Sequence, residues 1–134
     1  MEKVKKELME SFEMRDLGKA DLFLGMHINQ FKDCITISQE KYIGQLLKRF
    51  NMEECKIVST PSVAGQHLEK PGPDHKLDHS IPYRELIGSL MYLAVCTRPD
   101  VAHVVNSLSQ YNSCYAEEHW VSAKRVLRVL KPTD

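Results

Sequence analysis

Two acid–histidine pairs come closest to the spacing of a metal site. Asp74-His75 and Asp78-His79 repeat four residues apart, so on a helix both pairs would lie on one face and could bind a metal ion. Glycines and prolines interrupt this stretch at positions 65, 71, 72, 73 and 82. Because these residues disfavour a helix, the sequence predicts a polar loop here and no metal site.

Other side chains capable of enzymatic chemistry are scattered. The four cysteines stand roughly twenty to forty residues apart, without a Cys-x-x-Cys pair or paired histidines at zinc-finger spacing, and we expect reduced thiols. The acidic pairs Glu53-Glu54 and Glu117-Glu118 lack the flanking apolar strands of a metal-binding hairpin and are interpreted as solvated helix ends. The sequence therefore predicts no catalytic residue and no metal ligand.

The basic side chains near the C-terminus form the best candidate binding site. Lys124, Arg125, Arg128 and Lys131 lie outside the apolar face of a predicted helix, with His119 one turn before them. Such a face could neutralise phosphate groups, and it could equally be solvated surface. The chain has 18 basic and 18 acidic residues, so any nucleic-acid contact must rely on a local patch of this kind.

Three predicted helices between residues 82 and 131 would position this patch. Pro82 suits the start of a helix whose apolar residues recur at helical intervals up to residue 94. Thr97 is predicted to cap a second helix, which begins at Pro99-Asp100 and runs to about Tyr111. The third helix begins near residue 117. Its apolar face consists of Trp120, Ala123, Leu127 and Leu130.

The N-terminal half mixes helix and strand patterns. We predict a helix from about Glu2 to Phe12, a β-hairpin with strands at 22–28 and 34–37, and a helix from a Ser38 cap to about Phe50. Residues 59–81 lose all periodicity and are interpreted as a mobile linker. The predicted fold class is α+β and mostly helical, with residues 1–58, 59–81 and 82–131 as its three parts.

The order of several sequence phrases resembles the reverse transcriptase of copia-type LTR retrotransposon polyproteins, in the part just after the active site. The resemblance covers nearly the whole chain and is far more specific than a single motif. Departures from the family pattern are Tyr115, where proline is usual, and Pro132-Thr133, where Gly-Thr is usual. The matching phrases are FEMRDLG at 12–18, FLGMHI at 23–28, ISQEKYIGQLLKRFNMEEC at 37–55, TP at 60–61, YRELIGSLMYLAVCTRPD at 83–100 and HWVSAKRVLRVLK at 119–131.

This resemblance implies where the chemistry of the parent enzyme resides. An RNA-directed DNA polymerase of this type holds two Mg²⁺ ions by carboxylates of a Tyr-Val-Asp-Asp hairpin and an earlier palm aspartate. Both would lie upstream of this sequence, which contains neither. We therefore expect no cofactor in this chain, Mg²⁺ bound upstream in the parent polymerase, and no polymerase activity of the chain alone.

The resemblance also implies nucleic-acid-binding residues. Phe23, Leu24, Gly25 and Met26 match the primer grip, with Gly25 allowing a close backbone approach, although Leu24 and Met26 are more simply interpreted as core residues. The helices after the hairpin correspond to the thumb and the start of the connection to RNase H. There Arg98 is a candidate phosphate or carboxylate ligand, or half of a salt bridge that fixes a turn.

The expected function is therefore template–primer grip within a retrotransposon reverse transcriptase. The expected partners are an RNA–DNA or DNA template–primer duplex and the remaining reverse transcriptase and RNase H domains. No apolar run approaches the 18 residues of a membrane span, so we expect no membrane contact and an intracellular location, in the cytoplasm or a virus-like particle. The alternative is a decayed or domesticated helical module that binds a protein partner.

Overall fold

The computed structural model describes residues 2–132 of the chain. These residues divide into two compact units, of which the first ends at Ile37 and the second begins at Ser38. The first unit contains one helix and a small sheet, and the second contains four α-helices and a 3₁₀ turn. The predicted fold class, α+β and mostly helical, is confirmed.

The first unit has no core of its own. It contains α1 (Glu2–Ser11) and the strands β1 (Leu22–Phe23), β2 (Met26–Gln30) and β3 (Ile35–Ser38), which form a sheet in the order β1-β2-β3. No residue between 2 and 37 is buried. Burial of apolar surface is the main source of folding stability, so we expect this unit to be the less stable of the two.

The predicted strand at 22–28 is wrong at its centre, where a two-residue turn separates β1 from β2. Leu24 and Gly25 have φ values of 49° and 79°, and Phe23 pairs with Met26 across them. Positive φ at both central positions is the requirement of a type I′ hairpin turn. Gly25 thus adopts the positive φ that the turn requires. The sequence had suggested a different role, in which Gly25 lies within a strand and allows another backbone to approach closely. A leucine at the first turn position concealed the turn, because asparagine or glycine is usual there.

The second unit carries the predicted helices. Their bounds are α2 Glu40–Arg49, α3 Tyr83–Cys96, α4 Ala102–Ser109 and α5 Glu117–Leu130, with the 3₁₀ turn at Pro99–Val101 between α3 and α4. All four lie within a few residues of the predicted positions. The apolar periodicity of the sequence was sufficient here because each helix buries one face in a shared core.

The core of the second unit is built around α3. Tyr83, Leu86, Leu90 and Leu93 follow one face of this helix and are all fully buried. They pack with α4 and α5, which contribute buried residues such as Leu108. Because every buried hydrophobic residue in the part of the chain that the structure describes belongs to this unit, we expect it to supply most of the folding free energy.

Neither of the two predicted caps, Ser38 and Thr97, is formed. The N-cap residue of α2 is Gln39, without a side-chain capping hydrogen bond, so the predicted Ser38 cap is wrong by one residue. Ser38 Oγ, just before the cap, accepts a hydrogen bond of 3.2 Å from the backbone N–H of Glu40. Thr97 does not cap the helix that follows it, so that prediction is wrong. Its hydroxyl donates instead to Oε1 of the buried Gln39, at 2.6 Å. The Thr97 hydroxyl therefore bonds a side chain that is distant in the sequence, in place of a backbone group of the helix that follows it.

Residues 59–81 are irregular, as predicted, and lie within the second unit. The Tyr111 hydroxyl donates to the Leu68 carbonyl at 2.7 Å, and His75 Nε2 lies 2.8 Å from the carbonyl oxygen of Tyr115. These contacts join the segment to other parts of the second unit, and the boundary between the two units lies earlier in the chain, after residue 37. The mobility of 59–81 stays a prediction.

Candidate nucleic-acid interface

The buried side chain of His119, in the first turn of helix α5, accepts a hydrogen bond from the backbone at the start of that helix. The backbone N–H of Ala116 donates to His119 Nδ1 at 2.9 Å, and the His119 side chain is fully buried beside Tyr111, with ring centroids 4.1 Å apart. Burial lowers the pKa of His119, against a smaller opposing effect of Glu118. The ring is therefore held neutral, with Nδ1 as an acceptor, and it fixes the start of the helix.

The basic residues of α5 flank its buried face. Val126, Leu127 and Leu130 lie in the core, while Lys124, Arg125 and Arg128 are half-buried at its edge. Long basic side chains commonly lay their aliphatic stems on apolar surface in this way. The sequence placed these three residues wholly outside the helix's packing face, and the structure makes them part of its border.

Lys124 is positioned by an aromatic ring. Its Nζ lies 5.3 Å from the centre of the Trp120 ring, one helical turn earlier, and Trp120 meets Phe50 edge-on at 6.1 Å. The face of an indole ring attracts a cation. Lys124 is thus held near the end of α2, and no carboxylate among residues 2–132 forms a salt bridge with it.

The next three cations bind backbone carbonyl groups of residues 53–60. Arg125 Nε donates to the Thr60 carbonyl and its Nη2 donates to Thr60 Oγ1, both at 3.0 Å. Arg128 Nε donates to the Lys56 carbonyl at 2.8 Å. Lys131 Nζ donates to the carbonyls of residues 53 and 55, at 2.6 and 3.1 Å. We call residues 53–60 the carbonyl segment, because its backbone oxygens hold these side chains.

A groove brings three of the predicted site residues together. It has a volume of about 330 Å³ and lies between α5 and the end of α2. Among the residues that the structure describes, the lining contains three cations and no acidic side chain. The lining residues are Phe50, Asn51, Met52, Val121, Lys124, Arg125 and Arg128.

A second cavity, of about 450 Å³, has a different character. Residues 61–68 line one side of it, and His103 and Ser107 of α4, with Gln110 just after that helix, line the other. Its lining includes no lysine, arginine, aspartate or glutamate. It is therefore a poorer match to a polyanion than the groove beside α5.

Arg98 lies outside the groove lining and forms the salt bridge that the sequence offered as one of its two roles. Its Nε and Nη2 donate to the two carboxylate oxygens of Asp100, at 2.9 and 2.7 Å. These hydrogen bonds hold the pKa of Asp100 below its usual range and raise that of Arg98. The bidentate pair stabilises the 3₁₀ turn between α3 and α4.

The other predicted site residues, 23–26, belong to the first unit. Phe23 and Leu24 are 57% and 71% exposed, and Met26 is half-buried. The interpretation of Leu24 as a core residue is therefore wrong within this unit. The structure places Leu24 and Gly25 at the tip of an exposed turn.

Comparisons with known proteins now bear on these sites. Residues 1–64 match a family model described as reverse transcriptase (RNA-dependent DNA polymerase). Over 98% of its length the chain is 41% identical to the retrovirus-related Pol polyprotein from transposon TNT 1-94 of Nicotiana tabacum, and over 94% it is 38% identical to that from transposon RE1 of Arabidopsis thaliana. It is 35% identical, over 98% of its length, to a putative transposon Ty5-1 protein of Saccharomyces cerevisiae.

The chain is homologous to Pol polyproteins of copia-type retrotransposons over nearly its whole length. It spans 10% and 8% of the tobacco and Arabidopsis polyproteins and 43% of the yeast protein. No solved structure matches it. The family predicted from the order of its sequence phrases is confirmed.

The two-metal chemistry of a reverse transcriptase does not fit the residues present. Within residues 2–132, no three histidine, cysteine, aspartate or glutamate side chains cluster as metal ligands would. Asp74-His75 and Asp78-His79 lie in irregular backbone, as predicted. No helix in the same range is long and apolar enough to cross a bilayer.

Sequence reasoning missed three residues of this surface. Trp120 was assigned only to the apolar face, although its four-residue spacing from Lys124 is a recognisable signal for a cation–π pair. Phe50 and Thr60 carried no such signal. Thr60 is 65 residues from Arg125 in the sequence, so only the fold reveals their contact.

Proposed function

We propose that this chain contributes template–primer grip to a retrotransposon reverse transcriptase, and that the chemistry of polymerisation lies outside it. The observation that carries the proposal is the groove beside α5, whose lining within residues 2–132 includes Lys124, Arg125 and Arg128 and no acidic residue. Cations placed side by side neutralise successive phosphates and release their counterions. Such contacts read shape and charge without base specificity, as a polymerase requires.

The local character of this charge supports the proposal. The whole chain has a formal net charge of zero, so it has no general attraction for polyanions. Lys124 rests on Trp120, whereas each arginine is held by a carbonyl oxygen, and no carboxylate in the described part of the chain forms a salt bridge with any of the three. Their charge therefore remains available to a phosphate.

A second contact is proposed at the turn of the first unit. Phe23, Leu24, Gly25 and Met26 match the primer-grip phrase of the family, and the turn that they form is exposed. An exposed turn can approach a nucleic-acid backbone closely. Arg98 is a weaker candidate in this proposal, because Asp100 already binds one full edge of its guanidinium group.

Mg²⁺ and the catalytic carboxylates belong, in this proposal, to other parts of the parent polyprotein. The sequence contains no Tyr-Val-Asp-Asp motif, so the chain alone is expected not to extend a primer. The proposed partners are the template–primer duplex and the remaining reverse transcriptase and RNase H domains. The proposed location is intracellular, in the cytoplasm or a virus-like particle.

One observation favours the alternative function, a module that binds a protein partner. Most of the exposed large hydrophobic side chains among the described residues lie in the first unit, including Phe12, Leu17, Phe31 and Ile35. An apolar surface of this kind is typical of a protein interface. In a reverse transcriptase the same surface would pack against other parts of the palm, so it fits both functions.

Binding to a labelled RNA–DNA primer–template tests the proposal. We expect the purified chain to bind at low salt and to weaken between about 50 and 200 mM salt, because phosphate contacts release counterions. Changing Lys124, Arg125 and Arg128 together to alanine should lower affinity and should reduce the slope of log K against log[salt] by about 2 to 3. Lys124→Ala alone leaves the carbonyl segment's contacts with the arginines intact and should reduce this slope by about 1.

The matched control changes Lys41, Lys70 and Lys76 to alanine. These exposed lysines lie outside the groove lining, and their loss changes the net charge by the same amount. If the control lowers affinity as much as the groove variant does, binding is non-specific and the groove is not the site. Absence of binding at low salt would favour the protein-partner module.

A further inference from the structure

The guanidinium group of Arg125 is held by only one of its edges. Its Nε and one Nη2 hydrogen donate to Thr60, which accounts for two of its five N–H donors. The remaining three donors have no hydrogen-bond partner among residues 2–132. They include the end of the fork formed by Nη1 and Nη2, which suits two oxygens of a phosphate.

Arg128 is held in a related way, and the carbonyl segment is fixed in turn. Arg128 Nε donates to the Lys56 carbonyl, while the N–H of Val58 donates to the Arg128 carbonyl at 3.4 Å. Met52, just before the segment, is buried, and Cys55 packs against the core. The segment is thus anchored independently of the arginine side chains, and it can act as a support for them.

We propose that Thr60 is a positioning residue of the groove, which holds Arg125 by one edge so that its other donors face an incoming phosphate in a fixed orientation. This inference rests on the proposed function and deepens it. A flexible arginine loses rotamer freedom when it binds, which opposes affinity. Here folding has already removed much of that freedom. Nucleic acid therefore meets a preorganised guanidinium group, although Thr60 itself is exposed and uncharged.

Thr60→Val tests this inference, because it removes the hydroxyl acceptor and retains the shape and the carbonyl group. We expect affinity for the RNA–DNA primer–template to fall about 3- to 10-fold. Thr60→Ser retains the hydroxyl and should restore most of the affinity. Thr36→Val, the same change at an exposed threonine of β3, is the matched control and should have no effect.

A double-mutant cycle with Arg125→Ala separates positioning from direct contact. If Thr60 acts through Arg125, Thr60→Val should have no further effect in the Arg125→Ala background. An equal loss in both backgrounds would mean that the Thr60 hydroxyl touches the phosphate itself, and would overturn the inference. Unchanged affinity of the single variant would show a purely structural contact. Tighter binding would show that the carbonyl segment competes with nucleic acid.

A nuclear magnetic resonance measurement tests the contact without nucleic acid. Rotation of the Nη groups of Arg125 should be slow in the wild type and in Thr60→Ser, and fast in Thr60→Val. Equal rotation in all three would overturn the inference even if duplex binding is confirmed. Failure of the wild type to bind the duplex would instead overturn the proposed function, and the two failures are therefore distinguishable.

Discussion

Tyr83 and Tyr115 stack face to face in the core of the second unit, with ring centroids 4.7 Å apart and planes inclined by 21°. The Tyr83 hydroxyl donates to the Leu108 carbonyl and the Tyr115 hydroxyl to the Asp78 carbonyl, both at 2.8 Å. Burial raises the pKa of Tyr83, which keeps its hydroxyl a donor. The pair therefore joins the start of α3 to α4 and to the loop before α3.

Tyr115 stands where the resemblance to the family leads us to expect proline, and replacing it measures what the tyrosine contributes to stability. Tyr115→Phe should cost about 1 kcal/mol of unfolding free energy, because it loses the hydrogen bond to Asp78. Tyr115→Pro should cost about 3 to 5 kcal/mol, since it also removes a ring that is 5% exposed. Urea denaturation of both variants measures these costs. Equal stability of the proline variant would show that the stack is dispensable.

His119 should make the stability depend on pH. Burial lowers its pKa in the fold, so the unfolded chain binds a proton more readily. The contribution of neutral His119 to the free energy of unfolding is therefore complete above a pH of about 6.5. It is lost as the pH falls below that value, by up to about 1.4 kcal/mol per pH unit. Protonation would also remove the Nδ1 acceptor that the Ala116 N–H requires.

Denaturation midpoints between pH 8 and 5 measure this dependence. His119→Gln is the matched variant, because glutamine at this position can accept the same backbone bond and does not titrate. We expect a flatter profile in the variant. A profile as steep as that of the wild type would assign the pH dependence to groups other than His119.

The Arg98–Asp100 pair should contribute little to stability. Asp100 has a side chain that is 52% exposed, so solvent screens the pair, and Asp100→Asn should cost less than about 1 kcal/mol at pH 7. Because the folded pKa of Asp100 is lowered, this contribution exists above a pH of about 3.9 and disappears as the pH falls through the folded pKa. Comparing both proteins from pH 7 to 3 checks this. A cost above 2 kcal/mol would contradict it.

The two units should differ in hydrogen exchange. No residue from 2 to 37 is buried, whereas α3, α4 and α5 surround a common core. We therefore expect amides of β2 and β3 to exchange much faster than those of Tyr83–Cys96 and Glu117–Leu130. Equal protection in the two sets would contradict this difference in stability.

The parts of the fold that the sequence predicted are those governed by neighbours along the chain. Helix α5 was placed correctly because its apolar residues recur every three or four positions, and α3 because Pro82 and the same periodicity mark its start. The turn at Leu24 and Gly25 was missed for a related reason. Local statistics disfavour leucine at positive φ, and the sequence offered no other sign of the turn.

The sequence by itself determined the family, the helices of the second unit and the charge available on α5. Only the tertiary structure decided how that charge is held. Arg125 meets Thr60 across 65 residues and Arg128 meets Lys56 across 72. Periodicity reports which side of a helix is apolar, because that depends on residues a turn apart. It contains no information about which distant backbone oxygen will bind a side chain, because that depends on how the core closes.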